Sequence, residues 1–286
     1  MALETALTFP CRDQQLVGII HHPEIEGKTG VLIIVGGPQY RVGSHRQFVL
    51  LARHLANAGI TVMRFDVGGM GDSQGQPRDF LQIDADIRAA IDAFMANCPA
   101  IQQVVLWGLC DAASATLFYG YQDSRVKGLV LLNPWVFTQQ GAAKTYLKHY
   151  YLQRLVSKDF WRKVLSLKLD YRASLLSLMG LLQQAAGGAA KKSTAVAKVD
   201  ANLPLPARMR QCLSQFNQPV LLILSGRDLT ADEFKEVVKA DLEWQTLLAK
   251  PSLSRQDLPE ADHTFAAAAW REQVAEWTAA WVKDVF

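Results

Sequence analysis

An α/β fold, with a mostly parallel central sheet flanked by helices, is predicted by three features of the sequence. The runs Val31–Val35, Val104–Leu109 and Leu129–Leu132 are wholly apolar or nearly so, as strands covered on both faces require. Segments with helical apolar spacing alternate with them, the rhythm of βα units. Half of the 286 residues are apolar and a fifth are charged. That balance suits a globular chain with a large core and excludes collagen-like, disordered and disulfide-scaffold classes. No apolar run approaches the ~20 residues of a membrane span. The opening residues lack the basic-then-apolar pattern of a secretory signal. Cys11, Cys98, Cys110 and Cys212 lie far apart without a CxxC pair, which speaks against a zinc site and for a reducing, cytoplasmic setting.

The elements follow in order. Leu3–Phe9 and Gln15–His21 read as a hairpin turning at Cys11-Arg12-Asp13, since short β-type runs joined by a turn pair antiparallel. Gly30–Val35 is a buried strand followed by Gly36-Gly37-Pro38. Arg46–Ala58 places Phe48, Leu51 and Leu55 on one helical face and stops at Gly59, a C-terminal signal. Ile60–Phe65 is β-like, and Phe80–Met95 is helical with Ile83, Ile87, Ile91 and Phe94 aligned. Val104–Trp107, Ala112–Tyr121 and Val126–Leu132 then read as strand, helix and strand. The rhythm breaks between Pro134 and Arg210 and resumes with strand Pro219–Leu224, a helix through Glu233–Leu248, a short strand near Leu253–Leu258 and a final helix Thr264–Val285. The chain therefore divides into a core of residues 1–133 and 211–286, interrupted by a helical insert, 134–210, expected to cap a pocket.

The insert also holds the charge. Between Gly141 and Asp200 eleven Lys/Arg face three Asp, a local +8, so the remainder carries −5 of the net +3. Such a segment is either a solvated helix face or a surface for an anionic partner: a membrane headgroup, an acidic glycan or an acyl-carrier protein. No nucleic-acid contact is expected.

The stretch most informative about chemistry is Val104-Val-Leu-Trp-Gly-Leu-Cys-Asp-Ala-Ala113. A strand, then Gly108-x-Cys110-x-Ala112, then a helix is the form of a nucleophile elbow, where a sharp turn needs small neighbours and lifts one side chain outward. The plainer alternative is a small buried cysteine at a strand end. Asp228 follows the strand Val220–Leu224, and His263 follows the next strand in Glu260-Ala-Asp-His-Thr-Phe. Both fall where parallel sheets present ligand-facing loops. Asp232 and Asp262 are alternative acids, the first better read as the opening turn of a helix and the second as adjoining the histidine it would orient. Acyl transfer needs backbone N–H groups aimed at a developing oxyanion. Asp111, after the nucleophile, supplies one, and Gly37 the other, with Gln39 as fallback because Pro38 has no N–H. Gln39, Tyr40 and His45 are possible substrate contacts. Asp111 brings a negative charge beside Cys110, so a resting protonated thiol, ionised by His263 on substrate arrival, is expected.

The order nucleophile, acid, histidine is one of the known chain orders of such triads. With Asp66-Val-Gly-Gly-Met-Gly71-Asp-Ser73 and Ala261-Asp262-His263-Thr264-Phe265, these motifs resemble the α/β-hydrolase superfamily over Leu3–Leu132 and Pro219–Phe286. Gly36-Gly-Pro-Gln-Tyr-Arg-Val-Gly-Ser-His-Arg46 and Gly108-Leu-Cys-Asp-Ala-Ala-Ser-Ala115 are similar to hydrolases associated with exosortase A and bacterial exopolysaccharide loci. The elbow serine is here a cysteine, as in dienelactone hydrolase-like enzymes. Ala112 replaces the elbow's second glycine, Val35 a histidine and Gly68 an arginine. The resemblance implies the α/β-hydrolase fold and an acyl hydrolase or acyltransferase working on a small ester, lactone or thioester, an esterase or thioesterase in type. Its triad is Cys110, His263 and Asp228, and no metal or organic cofactor is implied. A non-catalytic scaffold and a peptidase are the competing readings.

Overall fold

The computed structural model describes residues 3–37, 39–137, 199–200 and 202–286. Most of the segment read as a cap, residues 138–198, lies outside the described residues.

Strands β1 (Leu3–Cys11), β2 (Gln14–His22), β3 (Thr29–Ile34), β4 (Thr61–Phe65), β5 (Gln103–Leu109), β6 (Val126–Leu132), β7 (Val220–Arg227) and β8 (Leu253–Asp262) form one sheet. Its order is β1-β2-β4-β3-β5-β6-β7-β8. β1 pairs antiparallel with β2, and β2 with β4. From β4 to β8 every pairing is parallel. Described helices are α1 (Gln47–Asn57), α2 (Asp84–Asn97), α3 (Asp111–Gly120), α4 (Leu205–Gln215), α5 (Leu229–Ala240), α6 (Leu242–Leu248) and α7 (Ala268–Val285).

Alternation along the strands explains the layers. Successive side chains point to opposite faces of a sheet. Val31 and Ile33 thus join Phe48, Leu51 and Leu55 of α1 and Val274 and Trp281 of α7. Leu32 and Ile34 join Ile87, Ile91 and Phe94 of α2, together with α3 and Met209 and Leu213 of α4. Both faces are dry, which is why β3 and β4 are buried at every position.

Several boundaries differ from the sequence reading. The segment read as one helix through Glu233–Leu248 is two, because Asp241 is extended (φ −132°, ψ 111°) and its carboxylate caps the N–H groups of Glu243 and Trp244. The last helix begins at Ala268, since residues 264–267 form a turn tied to Asp262, whose Oδ1 accepts the Ala266 N–H at 2.9 Å. β8 runs on to Asp262 as an edge strand with exposed polar residues. Helix α4 begins inside what was read as the insert. Pro204 sits at its N-cap and Pro206 in its first turn, where a missing N–H costs nothing.

Phe94 is fully buried, and its ring fills the space that a side chain at Gly30 would need, 2.7 Å from a built Cβ. Phe94→Ala is expected to lower unfolding free energy by about 3–5 kcal/mol, the range for a large side chain deleted from a packed core. Urea denaturation followed by circular dichroism measures it.

Candidate active site

The carboxyl ends of β3, β5, β7 and β8 bring the candidate residues to one end of the sheet. Cys110 is the N-cap of α3 with φ 62° and ψ −124°, a conformation that ordinary residues rarely adopt. Its N–H donates to Leu132 O at 2.9 Å, and its carbonyl accepts from Ala113 at 3.1 Å and Trp135 at 3.2 Å. The turn is tight enough that a Cβ on Gly108 would meet the Ala112 carbonyl at 2.6 Å. Glycine at 108 is thus a packing requirement, while Ala112, fully buried, is small enough to suffice. All four cysteines are free, and Cys110 alone among them is partly exposed.

His263 lies just past β8 and its Nδ1 is 2.9 Å from Asp228 Oδ2. The carboxylate can only accept, so Nδ1 carries the hydrogen. The imidazole also interacts with Cys110. Asp228 is the N-cap of α5 as well, accepting from Thr230 N–H at 3.0 Å and Ala231 N–H at 3.1 Å. One carboxylate thus caps a helix and bonds the histidine. The alternative acids have other partners: Asp232 meets Lys235 at 3.1 Å, and Asp262 closes the turn at Ala266.

Asn133 was missed in the sequence. It is fully buried, its Oδ1 accepts the Ser225 N–H at 2.9 Å, and its Nδ2 donates to the His263 carbonyl at 3.1 Å. One amide thus ties the end of β6 to β7 and to the histidine turn. The signal available was an Asn-Pro pair directly after an apolar strand.

The loop after β3 is held from beneath. Arg41 N–H donates to Asp66 Oδ1 at 2.6 Å and its guanidinium pairs with the same buried carboxylate. Arg64, also buried, donates to the Arg41 carbonyl at 3.1 Å and to His21 Nε2 at 2.8 Å. Burial, then the Arg64 charge, pushes His21 down to about 4, so it is the neutral acceptor for that bond. Gln39 donates its N–H to Gly36 O at 3.4 Å, Tyr40 is 45% exposed, and His45 occupies a single 3-10 turn at φ 52°.

Gly37 does not offer a free N–H. It donates to Asp111 Oδ2 at 2.7 Å, while Asp111 Oδ1 accepts the Ala112 N–H at 3.0 Å. Gly36 lies directly under this carboxylate, where a Cβ would come within 2.1 Å of Oδ1. Burial raises the Asp111 pKa, against the pull of these N–H groups and of its own. Behind the loop is a cavity of about 440 Å³ lined by Val35, Val67, Met70, Phe80, Ile83 and Asp111 among others.

For a metal, the described residues offer one grouping. His22, Glu26 and Cys98 bring their donor atoms within 4.8 Å of one another. It lies near the amino ends of the parallel strands, away from Cys110, and His22 already bonds Glu26 at 2.8 Å. Among the described residues no helix is long and apolar enough to cross a membrane.

His263 is pushed up to about 10, chiefly by its bond to Asp228 and next by Cys110, against burial. The direction favours an imidazolium near neutral pH. Asp228→Asn is expected to bring its titration down from about 10 toward 6.5, and Cys110→Ala to lower it by less. Imidazole nitrogen shifts in an NMR pH titration read this directly. Because the folded value is the higher one, the stability the pair contributes is complete below 6.5 and is lost as pH rises through about 10.

Comparison with known proteins agrees with this layout. The sequence profile of the family described as serine aminopeptidase, S33, matches residues 29–236. A polyketide transferase, GrgF, from a Penicillium species is 33% identical over 93 residues, covering 30% of this chain and 31% of that protein. An acyltransferase, DrtE, from Aspergillus calidoustus is 26% identical over 108 residues, 36% of this chain and 35% of that protein. The chain thus matches only about a third of the length of these curated relatives. In overall structure, a Pyrococcus furiosus esterase superposes with a TM-score of 0.66 at 13% identity, over 99% of this chain and 92% of that one. GrgF superposes at 0.61 and 16% identity, over 99% and 97%. The match across most of the chain, together with the eight-stranded sheet, settles the family: this protein belongs to the serine aminopeptidase S33 family and has the α/β-hydrolase fold.

Proposed function

We propose that the protein is an acyl hydrolase or acyltransferase that works through a thioester acyl-enzyme on Cys110. The observation that carries this reading is His263, held by Asp228 at 2.9 Å and interacting with Cys110 at the elbow. The Cys110 sulfur, having given its proton to His263 Nε2, attacks the carbonyl carbon of an ester, lactone or thioester, forming a C–S bond while the carbonyl oxygen takes the electron pair. The oxyanion accepts from the Asp111 N–H and from Gly37 once that donor is free. Collapse breaks the bond to the leaving group, which takes the proton held on His263 Nε2. Water or an acceptor hydroxyl or amine then gives its proton to His263 and attacks the thioester, and C–S cleavage restores the sulfur. Asp228 keeps the proton of Nδ1 in place and stabilises the cationic ring.

Transfer as well as hydrolysis is supported by the relatives named polyketide transferase and acyltransferase. The likeness to exopolysaccharide-linked hydrolases makes a sugar hydroxyl a natural acceptor to try. Gln39, Tyr40 and His45 are proposed to contact the substrate, and the basic part of the insert, ahead of α4, to cap it and to meet an anionic partner. Salt-dependent flotation with anionic vesicles tests the lipid case. A second reading, cleavage at a peptide amino terminus, is favoured by the family's own description, and a panel of aminoacyl amides decides it.

Intact-mass measurement after incubation with acyl thioesters and p-nitrophenyl esters is expected to show an adduct on Cys110. Cys110→Ala and His263→Ala are each expected to cut turnover by roughly 10³-fold or more, and the double variant by no more than the worse single, since the residues act as one unit. Turnover near wild type in His263→Ala, or adducts only elsewhere, would overturn the reading.

A further inference from the structure

The Asp111 carboxylate engages Gly37, one of the two backbone donors proposed for the reaction oxyanion. It takes the Gly37 N–H at 2.7 Å and the Ala112 N–H at 3.0 Å, with its own N–H also close enough to favour its charged form. A second anion cannot share those donors with it. A charge-assisted bond of this kind is stronger than one between neutral groups, so a bare acyl chain must break it with nothing offered in return. The carboxylate also opens onto the cavity of about 440 Å³ behind the loop. That cavity is of the size that takes small ligands. Most of its wall is apolar, with Val35, Val67, Met70, Phe80 and Ile83 lining it. Its one arginine, Arg78, is already engaged by Asp86 at 3.6 Å and Gln14 at 3.4 Å. A second carboxylate, Asp79, lies on the same wall and repels Asp111.

Resting on the reading that Cys110 is acylated, we propose that Asp111 is a specificity-determining residue that selects acyl donors carrying a hydrogen-bond donor, a hydroxyl or an ammonium group, within reach of the scissile carbonyl. Such a group enters the cavity and takes the carboxylate as acceptor. The Gly37 N–H is released to the oxyanion, and the charge that would have opposed the oxyanion is drawn off the reaction axis. An unsubstituted acyl group has no such exchange to make and is acylated slowly.

The test compares the acylation rate of Cys110, by quenched intact mass, for butyryl, 3-hydroxybutyryl and 3-aminobutyryl N-acetylcysteamine thioesters. In the wild-type protein the substituted donors are expected to react about tenfold faster or more, and the two separate a hydroxyl from an ammonium preference. Asp111→Ala is expected to raise the butyryl rate about tenfold and to lower the substituted rates, so that the preference collapses or reverses. Asp111→Asn, nearly the same shape without the charge, covers the case in which the alanine variant misfolds, and is expected to move the rates in the same directions. A merely structural role would lower all three rates together, and parallel changes in either folded variant overturn the inference. Absence of any Cys110 adduct with every thioester overturns the acyl-enzyme reading itself and this inference with it.

Discussion

The backbone of Cys110 is the constraint on which the rest of the site depends. A non-glycine residue at φ 62° and ψ −124° costs on the order of 1–3 kcal/mol and persists only where surroundings over-determine it. Here helix α3 supplies the compensation, since every residue from Ala112 to Gly120 is buried. Hydrogen bonds to Leu132 and Trp135 fix the turn against β6 and the chain that follows it. The same geometry brings the start of α3 onto Gly108 and swings the next side chain, Asp111, over Gly36. Both glycines are consequences of one strained residue.

In the loop that faces this elbow, none of the described residues between Val35 and the turn at Ser44 lies in a helix or strand, so buried charge holds it. Asp66 and Arg64 stand on the neighbouring strand end and strand, and both grip Arg41 through its main chain. Buried ion pairs contribute little net stability because desolvation offsets attraction, while loss of one partner is costly. Their value here is placement: they leave the loop one position relative to α3. His21 completes the arrangement by accepting from Arg64 as a neutral ring.

How much of this was legible followed from how local each constraint is. The elbow was readable because its requirements lie within five residues, Gly108 to Ala112, and the sheet because its strands are dry on both faces. Asp228 and His263 were readable from their positions after strands. The Asp111–Gly37 bond joins residues 74 apart, and no periodicity reports where a side chain at an unusual turn is aimed. Asn133 was hidden for the same reason, since its partners Ser225 and His263 come 92 and 130 residues later. The edge strand β8 was under-read at its far end because Pro259 and Glu260 look like a turn, and only an edge tolerates a proline inside a strand. Helix α4 was missed because Pro204 and Pro206 look like coil unless they are recognised as an N-cap and a first-turn residue.

Asp228 answers to two masters, the amino terminus of α5 and the imidazole of His263. A helix that loses such a cap loses about 1 kcal/mol, so selection for a folded chain alone would retain this acid in a descendant that had abandoned catalysis. In a family tree, then, the aspartate is a poor witness to activity, and the pairing of an elbow nucleophile with the histidine after β8 is the character that would separate working enzymes from inherited scaffolds.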